Sequence, residues 1–462
     1  MTALRHRRVP TQTVNDVHSR LNATTVSCIE RPRDLDELRA AVLRHKHVAI
    51  CGGRHAMGGQ QFAEGQALLD LRGLTAVHSF DAERGHLEME AGATWPEVIE
   101  ATRRLQPGGW RWGIRQKQTG ADDLTLGGAV AANIHGRGLT MRPFVEDVEA
   151  LTLVSSDGDV VHCSREENAD LFRLVVGGYG LFGVVATVTL RLAERRKMRR
   201  RVDILDIDDA LPAAYRRVAD GCVYGDFQYA IDPCDDGFLR RGVCACYAPA
   251  DEDAPVDEGS RLSPEAWGKL ISLAYRDKRA AFAAYAQHYL STHGQVYWSD
   301  LLQLSTYLPG YEQFLPDGEG ESLVIGELYV PPDDLPTFLD ASRRVLREMQ
   351  VEDIYGTIRS ILQEDETFLP WASRDWACVI FNLRTPHTTA GRERTAEAFR
   401  RLYDAALSLG GSFYLTYGRH ARPDQIEVAH PQFEAFLDRK GDLDPAGRFT
   451  SNWHRHLSGL FA

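Results

Sequence analysis

The pattern of apolar positions predicts alternating strands and helices in the first part of the chain. Apolar residues recur with helical spacing over residues 33–44, and residues 47–51 form a short strand that runs into a glycine cluster. Further strands are predicted at 68–71, 87–91, 150–155 and 159–163, with helices at 95–105 and 167–176. We interpret residues 1–193 as one α+β domain.

The pattern changes after residue 193. Strands are predicted at 201–207 and 222–231 and a helical block at 263–289, followed by a β-α-β-β-α-β series at 322–330, 335–350, 353–361, 376–383, 391–409 and 412–417. This series predicts a second domain, residues 194–421, with an antiparallel sheet covered by helices. The last segment, 422–462, is helical with a break at Asp444-Pro445, and it is too short to fold without packing on another domain.

Composition is that of a globular enzyme of two or three domains. The chain has 462 residues, of which 44% are hydrophobic and 26% charged. Its net charge of −12 argues against a nucleic-acid partner, since only the short 195–201 stretch is strongly basic. The longest uncharged run, 174–190, carries four glycines, so we predict a glycine loop before a strand and no membrane span.

Two further features bear on the cellular setting. Residues 1–10 carry charge with no apolar run behind them, which predicts a cytoplasmic protein without a secretory signal. The eight cysteines include no CxxC motif, and Cys244 and Cys246 fall on one face of a strand-like run. Buried thiols are therefore expected, with neither disulfides nor a metal site.

A literal G-x-G-x-x-G motif occurs at Gly178, Gly180 and Gly183. A Rossmann site requires this motif to follow a strand and open a helix. Here a predicted helix precedes the motif and a β-branched run follows it, so we reject that interpretation.

Three glycine-bearing loops, 51–60, 118–128 and 133–136, are more informative. Glycine allows close approach of the backbone to a ligand, and successive N–H groups can bind a pyrophosphate without a lysine. Each loop alone is most often a tight turn. Together they predict a dinucleotide site.

The chain resembles the vanillyl-alcohol oxidase (PCMH-type) superfamily of FAD-linked oxidases in four segments. These are the 52–59 loop followed by Leu69-Asp70-Leu71, the 90–93 run before a helix, the 126–136 run ending in His135-Gly136, and the 177–185 run. Residues 126–136, with 410–414 and 444–451, are most similar to the decaprenylphosphoryl-ribose oxidases and, more distantly, the sugar-lactone and alditol oxidases.

The resemblance implies that FAD lies between the N-terminal domain and the C-terminal segment. The residues that it assigns to cofactor binding are Gly52, Gly53, Arg54, His55, Ala56, Met57, Gly58, Gln118, Gly120, Ala121, Thr125, Gly128, Ile134, His135, Gly183, Val185, Tyr414 and Asn452.

His55 is the candidate for a covalent bond to the flavin 8α-methyl group, as in covalent members of the superfamily. Counted back from Gln60, it fits the loop of the cytokinin dehydrogenases, although Arg54 stands where a glycine usually precedes the histidine. If Gly53-Arg54 instead aligns with the Gly-Arg of the non-covalent ribose oxidases, His55 is one position off. Both alternatives remain open at this point.

Catalytic candidates come from the His-Gly motif and from the second domain. The resemblance places His135 beside flavin and substrate, and it places polar residues of the second sheet over the flavin. The candidates are Glu327, Arg359 and Tyr417, with Tyr329, Asn382 and Tyr414 as further polar positions. Lys440 is added because the ribose oxidases carry a lysine two residues before their Asp-Pro, although here it lies four residues before.

These features together predict an FAD-dependent oxidoreductase. It would take a hydride from an alcohol carbon of a sugar, polyol or glycosylated metabolite to flavin N5, with reoxidation by oxygen or another acceptor. One alternative is a phenol or hydroxy-acid oxidase of the same superfamily, favoured if Trp376, Tyr329 and Tyr417 line an aromatic slot. A second is a flavin-binding protein without turnover.

Overall fold

The computed structural model describes residues 11–257, 263–304 and 320–461, and these form the mixture of helices and sheets that the pattern predicts. Residues 1–10, on which the prediction about a secretory signal depends, lie outside this range.

The N-terminal part contains two larger sheets that pack on each other, and two two-stranded sheets, β1-β2 and β12-β8. A three-stranded parallel sheet has the order β3-β5-β4, and a five-stranded antiparallel sheet has the order β10-β9-β11-β7-β6. The strands are β1 Gln12–Val14, β2 Thr24–Val26, β3 Cys28–Glu30, β4 Val48–Cys51, β5 Ala67–Asp70, β6 Val77–Asp81, β7 His86–Glu90, β8 Trp112–Gly113, β9 Val148–Val154, β10 Val160–Ser164, β11 Val184–Arg191 and β12 Ala193–Glu194. The helices are α1 Leu35–Arg44, α2 Trp95–Leu105, α3 Leu126–Ala132 and α4 Ala169–Val175.

The rest of the chain builds an eight-stranded antiparallel sheet with the order β16-β13-β15-β14-β18-β19-β17-β20. Its strands are β13 Lys197–Asp206, β14 Tyr224–Tyr229, β15 Arg241–Pro249, β16 Val296–Trp298, β17 Glu321–Val330, β18 Asp353–Ile361, β19 Trp376–Pro386 and β20 Ser412–Phe413. The helices are α5 Ile207–Ala219, α6 Pro264–Arg276, α7 Lys278–Ser291, α8 Leu335–Met349, α9 Thr389–Leu407, α10 Pro423–Ala429, α11 Phe433–Leu443 and α12 Asn452–Ser458.

The two faces of this sheet have different neighbours. A Cβ atom at Gly326 would collide with Phe399 of α9, and Phe381 of β19 contacts Phe338 of α8 with ring centroids 6.4 Å apart. Because side chains alternate along a strand, Glu327 and Ile380 face the other way. They face the glycine loops of the N-terminal part, and that face carries the site described below.

The C-terminal segment returns to the N-terminal sheets. Val48 of β4 forms a parallel bridge with Phe449, in which Val48 N donates to Arg448 O at 2.7 Å and Thr450 N donates to Val48 O at 3.0 Å. Asn452 N also donates to Phe62 O at 2.6 Å. The stretch between α11 and α12 is thereby held against β4 and the loop that follows it.

Three predicted elements differ from the structure. The 118–128 glycine loop ends in a helix, α3, because Thr125 caps it by accepting a hydrogen bond from Gly128 N at 3.3 Å. The helical block 263–289 is two helices, because Asp277 ends α6 and caps α7. The strand predicted at 412–417 stops at Phe413, and α5 was not foreseen.

No helix in the described residues is long and apolar enough to cross a membrane.

Candidate flavin site

A cavity of about 420 Å³ lies between the glycine loops and the eight-stranded sheet. The loops 52–56, 118–128 and 180–183 form one side of it, and β14, β17, β18 and β19 form the other. Most of the predicted cofactor-binding and substrate residues therefore line this one cavity.

The 52–56 loop approaches the rest of the protein so closely that side chains are excluded at its glycines. A Cβ atom at Gly52 would collide with the Thr125 hydroxyl, and one at Gly53 would collide with the Asp123 carbonyl. Arg54 has φ of 63°, the left-handed conformation that glycine adopts most easily. Its guanidinium is held by Asp70, with Arg54 Nη2 3.3 Å from Asp70 Oδ2.

The structure thus accounts for the arginine where the related loops have a glycine. The backbone at Arg54 still adopts the left-handed conformation that favours glycine. The ion pair with Asp70 offsets part of the free-energy cost of that conformation. Burial raises the pKa of Asp70, but the Arg72 and Arg54 guanidinium groups outweigh burial and hold that pKa below its ordinary value.

His55 projects from this loop into the cavity and contacts a second histidine. Its Nδ1 lies 2.8 Å from Nε2 of His18, its Nε2 is buried, and the ring also has a hydrogen bond with the Asp123 backbone. Burial, together with the neighbouring His18, lowers the pKa of His55 to about 3, and burial lowers that of His18 to about 4. Both rings are therefore neutral at physiological pH.

Glu327 is the centre of a buried hydrogen-bond network at the cavity wall. Its Oε1 accepts from the Tyr417 hydroxyl at 2.8 Å and from Gln118 Nε2 at 3.5 Å. Its Oε2 lies 2.8 Å from His135 Nε2 and accepts from the Tyr329 hydroxyl at 3.2 Å. Gln118 belongs to a glycine loop, so the network joins the two sides of the cavity.

This network sets the protonation of its members. Burial raises the pKa of Glu327, but His135, the Tyr417 hydrogen bond and the nearby Arg359 outweigh burial and lower it. Burial and the adjacent Glu327 carboxylate raise the pKa of Tyr417 well above its usual range. The pair is thus an ionised carboxylate that accepts from a neutral phenol.

Two cationic side chains lie near this network, and one of them, Arg359, lines the cavity. Arg359 donates to the Thr119 hydroxyl, while its Nε and Nη1 are buried and have no hydrogen-bond partner among the described residues. Lys117 is fully buried and lies 2.6 Å from Asp122 Oδ1. Burial lowers the pKa of Lys117 to about 8, against the effect of that carboxylate.

Most predicted cofactor residues line the cavity, namely Gly52, Gly53, Arg54, His55, Ala56, Gln118, Gly120, Ala121, Thr125, Gly128, Ile134, Gly183, Val185 and Tyr414. Met57, Gly58 and Asn452 instead support the loop from behind. Met57 Sδ accepts from Ile325 N at 3.4 Å, and Asn452 Oδ1 accepts from Glu64 N at 2.9 Å. A Cβ atom at Gly58 would collide with the Tyr417 carbonyl.

Glu327, Arg359 and Tyr417 line the cavity, whereas two other catalytic candidates do not. His135 is 2% exposed and lies behind Glu327, so it can act on the cavity only through that carboxylate. Lys440 forms a buried ion pair with Asp444, one helical turn further on, and its ammonium lies 5.8 Å from the Phe449 ring centroid. Lys440 is held in this ion pair away from the cavity lining, and its assignment as a catalytic residue stays a prediction.

The aromatic slot proposed for Trp376, Tyr329 and Tyr417 is not formed. Trp376 and Tyr329 are core residues that stack on each other with ring centroids 6.3 Å apart, and only Tyr417 reaches the cavity. A different aromatic wall lies at the end of the cavity under α6 and α7. Its residues are Trp267, Phe282, Tyr285, Tyr289, Tyr297 and Tyr355.

Sequence analysis did not identify this aromatic wall or His18. Aromatic residues recur through 267–289, which is a weak sequence signal for the wall, but nothing in the sequence relates that block to the sheet. No sequence signal points to His18, because its contact with His55 joins residues 37 positions apart.

Potential metal ligands come together at two places in the described residues. His135, Glu327 and Cys378 belong to the network above. Cys28, Glu30 and His45 form the second group, in which Glu30 lies 2.8 Å from His45 Nε2 and 2.8 Å from Arg44 Nη1. The Arg44 guanidinium thus already occupies the carboxylate that a cation would need.

The residues present fit an FAD molecule. Gly120 has φ of 85°, and a Cβ atom there would meet nothing within 4 Å, so there is open space on that side of the residue. Polar atoms without partners among the described residues belong to side chains that line the same space, including Gln118 Oε1 and the Nε and Nη1 atoms of Arg359. An extended cofactor with phosphate and ring groups provides partners for such scattered donors and acceptors.

The comparisons with known proteins agree with this fit. An FAD binding domain model matches residues 26–164. An uncharacterized oxidoreductase of the fasciation locus of Rhodococcoides fascians is 31% identical over 166 residues, which are 36% of this chain and 36% of that protein. Cytokinin dehydrogenase 4 of Oryza sativa subsp. japonica is 31% identical over 169 residues, 35% of this chain and 30% of that protein.

L-gulonolactone oxidase of Mus musculus is 28% identical over 166 residues, 35% of this chain and 36% of that protein. The chain thus matches about a third of the length of these curated relatives. The G-x-G-x-x-G segment follows α4 and precedes β11, in agreement with the rejection of a Rossmann site. The match over residues 26–164 and these relatives support the PCMH-type FAD-linked oxidase superfamily for this part of the chain, with FAD as its cofactor.

Proposed function

We propose that the protein is an FAD-dependent oxidoreductase that takes a hydride from an alcohol carbon of a sugar, polyol or glycosylated metabolite. The observation that carries the proposal is the Tyr417–Glu327 pair, which lines the cavity with its oxygen atoms 2.8 Å apart. An alcohol must lose its hydroxyl proton as the hydride leaves, and this pair can accept that proton.

The proton moves along the hydrogen bond that already exists. Tyr417 Oη takes the hydroxyl proton of the substrate while its own proton passes to Glu327 Oε1. The lowered pKa of Glu327 keeps the carboxylate ionised and ready to accept, and His135 and Tyr329 hold its other oxygen in place. Bound FAD supplies the hydride acceptor, N5, and oxygen or another acceptor reoxidises it.

The cofactor is proposed to be attached covalently at His55. His55 lines the cavity, and burial keeps its imidazole neutral, which is the form of the nucleophile that such a bond requires. The left-handed Arg54 supports the alignment in which this histidine occupies the attachment position.

The three predicted parts of the chain, residues 1–193, 194–421 and 422–462, are proposed as its domains. In this division the first part holds the cofactor, the C-terminal segment packs on the first part, and the sheet of the second part holds the substrate. The bridge between Val48 and Phe449 supports the role of the C-terminal segment.

A second candidate function is oxidation of a phenolic or other aromatic substrate. The aromatic wall under α6 and α7 favours it, with the Tyr285 and Tyr289 ring centroids 4.4 Å apart. Polar side chains also line this end of the cavity, namely Arg137 and Asp226. Arg137 lies 3.9 Å from Asp226, and its Nε has no hydrogen-bond partner among the described residues.

One anaerobic experiment separates these functions. The FAD-loaded protein is mixed with polyols, sugar lactones and aryl alcohols in turn, and the flavin absorbance is followed. Reduction by polyols or sugars supports the first proposal, and reduction by aryl alcohols alone supports the second. If no alcohol reduces the flavin although dithionite does, the flavin-binding protein without turnover is the better account.

A further inference from the structure

The side of the cavity that the eight-stranded sheet lines carries an excess of positive charge. From this excess and from the unpartnered donors of Arg359, we infer that the sheet binds a carboxylate group of the substrate. The alcohol that is oxidised is then a sugar acid or a related polyhydroxy acid. This inference rests on the proposed oxidation of a sugar or polyol and names the substrate class within it.

The charged side chains on this side of the cavity do not balance. They are Arg137, Arg200, Asp226, Glu327 and Arg359. The guanidinium group of arginine keeps its proton at physiological pH. With both carboxylates ionised, one positive charge is in excess. Arg54, on the opposite side of the cavity, is held by the Asp70 carboxylate and does not add to this excess.

Arg359 is the arginine whose hydrogen-bond donors are left over. It is 7% exposed, lies on β18 with its side chain at the cavity, and donates through Nη2 to the Thr119 hydroxyl. Its Nε and Nη1 are buried and have no hydrogen-bond partner among the described residues. A buried charged donor without an acceptor is costly, and an ionised oxygen acceptor offsets that cost best.

The other two arginines on this side already have partners. Arg137 lies 3.9 Å from the Asp226 carboxylate. Arg200 donates from Nε to the Tyr247 hydroxyl and from Nη1 to the Thr292 hydroxyl, both at 2.9 Å. An incoming anion therefore gains most at the arginine of β18.

This arginine lies close to the proposed proton acceptor. The strands that carry Arg359 and Glu327 are separated only by β19, so their backbones lie about 10 Å apart. Thr119, which accepts from Arg359, directly follows Gln118, which donates to Glu327 at 3.5 Å. One sugar acid can therefore place its carboxylate at Arg359 and a hydroxyl group at Tyr417.

A single excess charge fits a carboxylate better than the other candidate groups. A carboxylate has one negative charge and two acceptor oxygens, whereas a phosphate monoester carries nearly two charges at neutral pH and would lie near both cavity carboxylates. The oxidised flavin ring is neutral, so its oxygens can accept from Arg359 but cannot offset the charge. The charges of FAD are on its pyrophosphate, which the glycine loops are predicted to bind.

The test compares paired substrates on the FAD-loaded full chain under anaerobic conditions. Each aldonate is set beside the alditol with the same carbon chain, namely xylonate with xylitol, gluconate with glucitol, and galactonate with galactitol. Flavin reduction is followed below saturation. In the pair that reacts fastest, we expect the aldonate to reduce the flavin about 10–100-fold faster than its alditol, the factor that a hydrogen bond to a charged group provides.

Three variants assign this preference to one side chain. Arg359→Met should lower the ratio of the aldonate rate to the alditol rate by the same factor of about 10–100. Arg359→Lys keeps the charge without the planar fork and should retain part of the preference. Arg384→Met is the matched control, because Arg384 lies on the adjacent β19 but pairs with Glu321 and Glu352 outside the cavity lining. Its ratio should be unchanged.

A binding measurement tests the anion site without turnover. The oxidised, FAD-loaded protein is titrated with butyrate and with butyramide, which has nearly the same shape but no charge, and the flavin difference spectrum is recorded. Butyrate should bind about 10–100-fold more tightly than butyramide, and Arg359→Met should abolish this difference.

Four results would overturn the inference. The first is a folded, flavin-loaded Arg359→Met that keeps the unmodified ratio of aldonate to alditol rates. The second is an unmodified protein that reacts equally with aldonates and alditols and binds butyrate no more tightly than butyramide. The third is faster reduction by glucitol 6-phosphate than by gluconate. The fourth is loss of FAD from Arg359→Met and Arg359→Lys alike, since the arginine would then hold the cofactor.

The same experiments distinguish this inference from the proposed function. Reduction of the flavin by alditols without any preference for aldonates would leave the oxidation of sugars or polyols in place and refute the carboxylate site. Binding of butyrate through Arg359, with no reduction by any alcohol, would confirm the anion site and refute the proposed oxidation.

Discussion

Replacement of Tyr417 by phenylalanine tests the proposed proton acceptor most sharply, because the chain contains a matched control. Tyr417 and Tyr329 both donate to Glu327, at 2.8 and 3.2 Å, and both are buried. Tyr417 lines the cavity, whereas Tyr329 is 0% exposed within the core. The two variants remove the same group from the same carboxylate but from different sides.

The structure sets the expected magnitudes. Each variant loses a hydrogen bond to an ionised carboxylate, which costs about 1.5–3 kcal/mol of stability. If Tyr417 takes the substrate proton, Tyr417→Phe should also slow flavin reduction about 10²–10⁴-fold. Tyr329→Phe should slow it far less, since its hydroxyl supports Glu327 from behind.

The assay is stopped-flow reduction of the FAD-loaded protein under anaerobic conditions, with the alcohol that reduces the flavin fastest. Thermal unfolding of both variants serves as the control for folding. The proposal would be refuted if both variants lost the same factor in rate, or if Tyr417→Phe reduced the flavin as fast as the unmodified protein.

The pH dependence of the same rate is a second prediction. The folded pKa of Glu327 lies below its ordinary value of 4.5. The ionised form is therefore present throughout the neutral range, and the rate should fall only as the pH drops through that folded pKa, below 4.5. A fall in rate between pH 6 and 7 assigned to Glu327 would contradict the lowered pKa.

Three substitutions test other parts of the account. Gly52→Ala should lower the free energy of unfolding by about 1–3 kcal/mol through overpacking, and it should also weaken FAD binding. Gly108→Ala, where the added methyl group meets open space, should change neither quantity. Unfolding and FAD titrations measure both. Arg54→Ala should be less stable than Arg54→Gly by about 1 kcal/mol, because only glycine relieves the left-handed backbone; equal melting temperatures would contradict this. Lys440→Met should cost about 3 kcal/mol, because the buried Asp444 carboxylate loses its ion-pair partner and retains its backbone donors Arg448 N and Phe449 N. The folded variant should reduce its flavin at the normal rate.

The glycine loops and the alternation along β17 and β18 could be predicted from sequence because both depend on local spacing. Gly52 and Gly53 mark close backbone contacts, and the period of two puts Glu327 on the cavity face. The Lys440–Asp444 ion pair could also be predicted from sequence, since a spacing of four residues on a helix brings two side chains together.

Other features depend on contacts between segments far apart in sequence. The position of His135 behind Glu327 follows from the packing of the N-terminal part on the sheet, which joins residues 192 positions apart. The contact of His18 with His55, and the aromatic wall under α6 and α7, are of the same kind. No periodicity in one segment determines which other segment it meets.

The most direct test of the central claim is anaerobic reduction of the bound FAD by an alcohol that carries deuterium on the reacting carbon. The account predicts that the flavin is reduced by the unlabelled alcohol, that deuterium slows this step, and that Glu327→Gln slows it further. An FAD-loaded protein that dithionite reduces but no alcohol reduces would contradict the account, since the cavity would then hold a flavin without oxidising an alcohol.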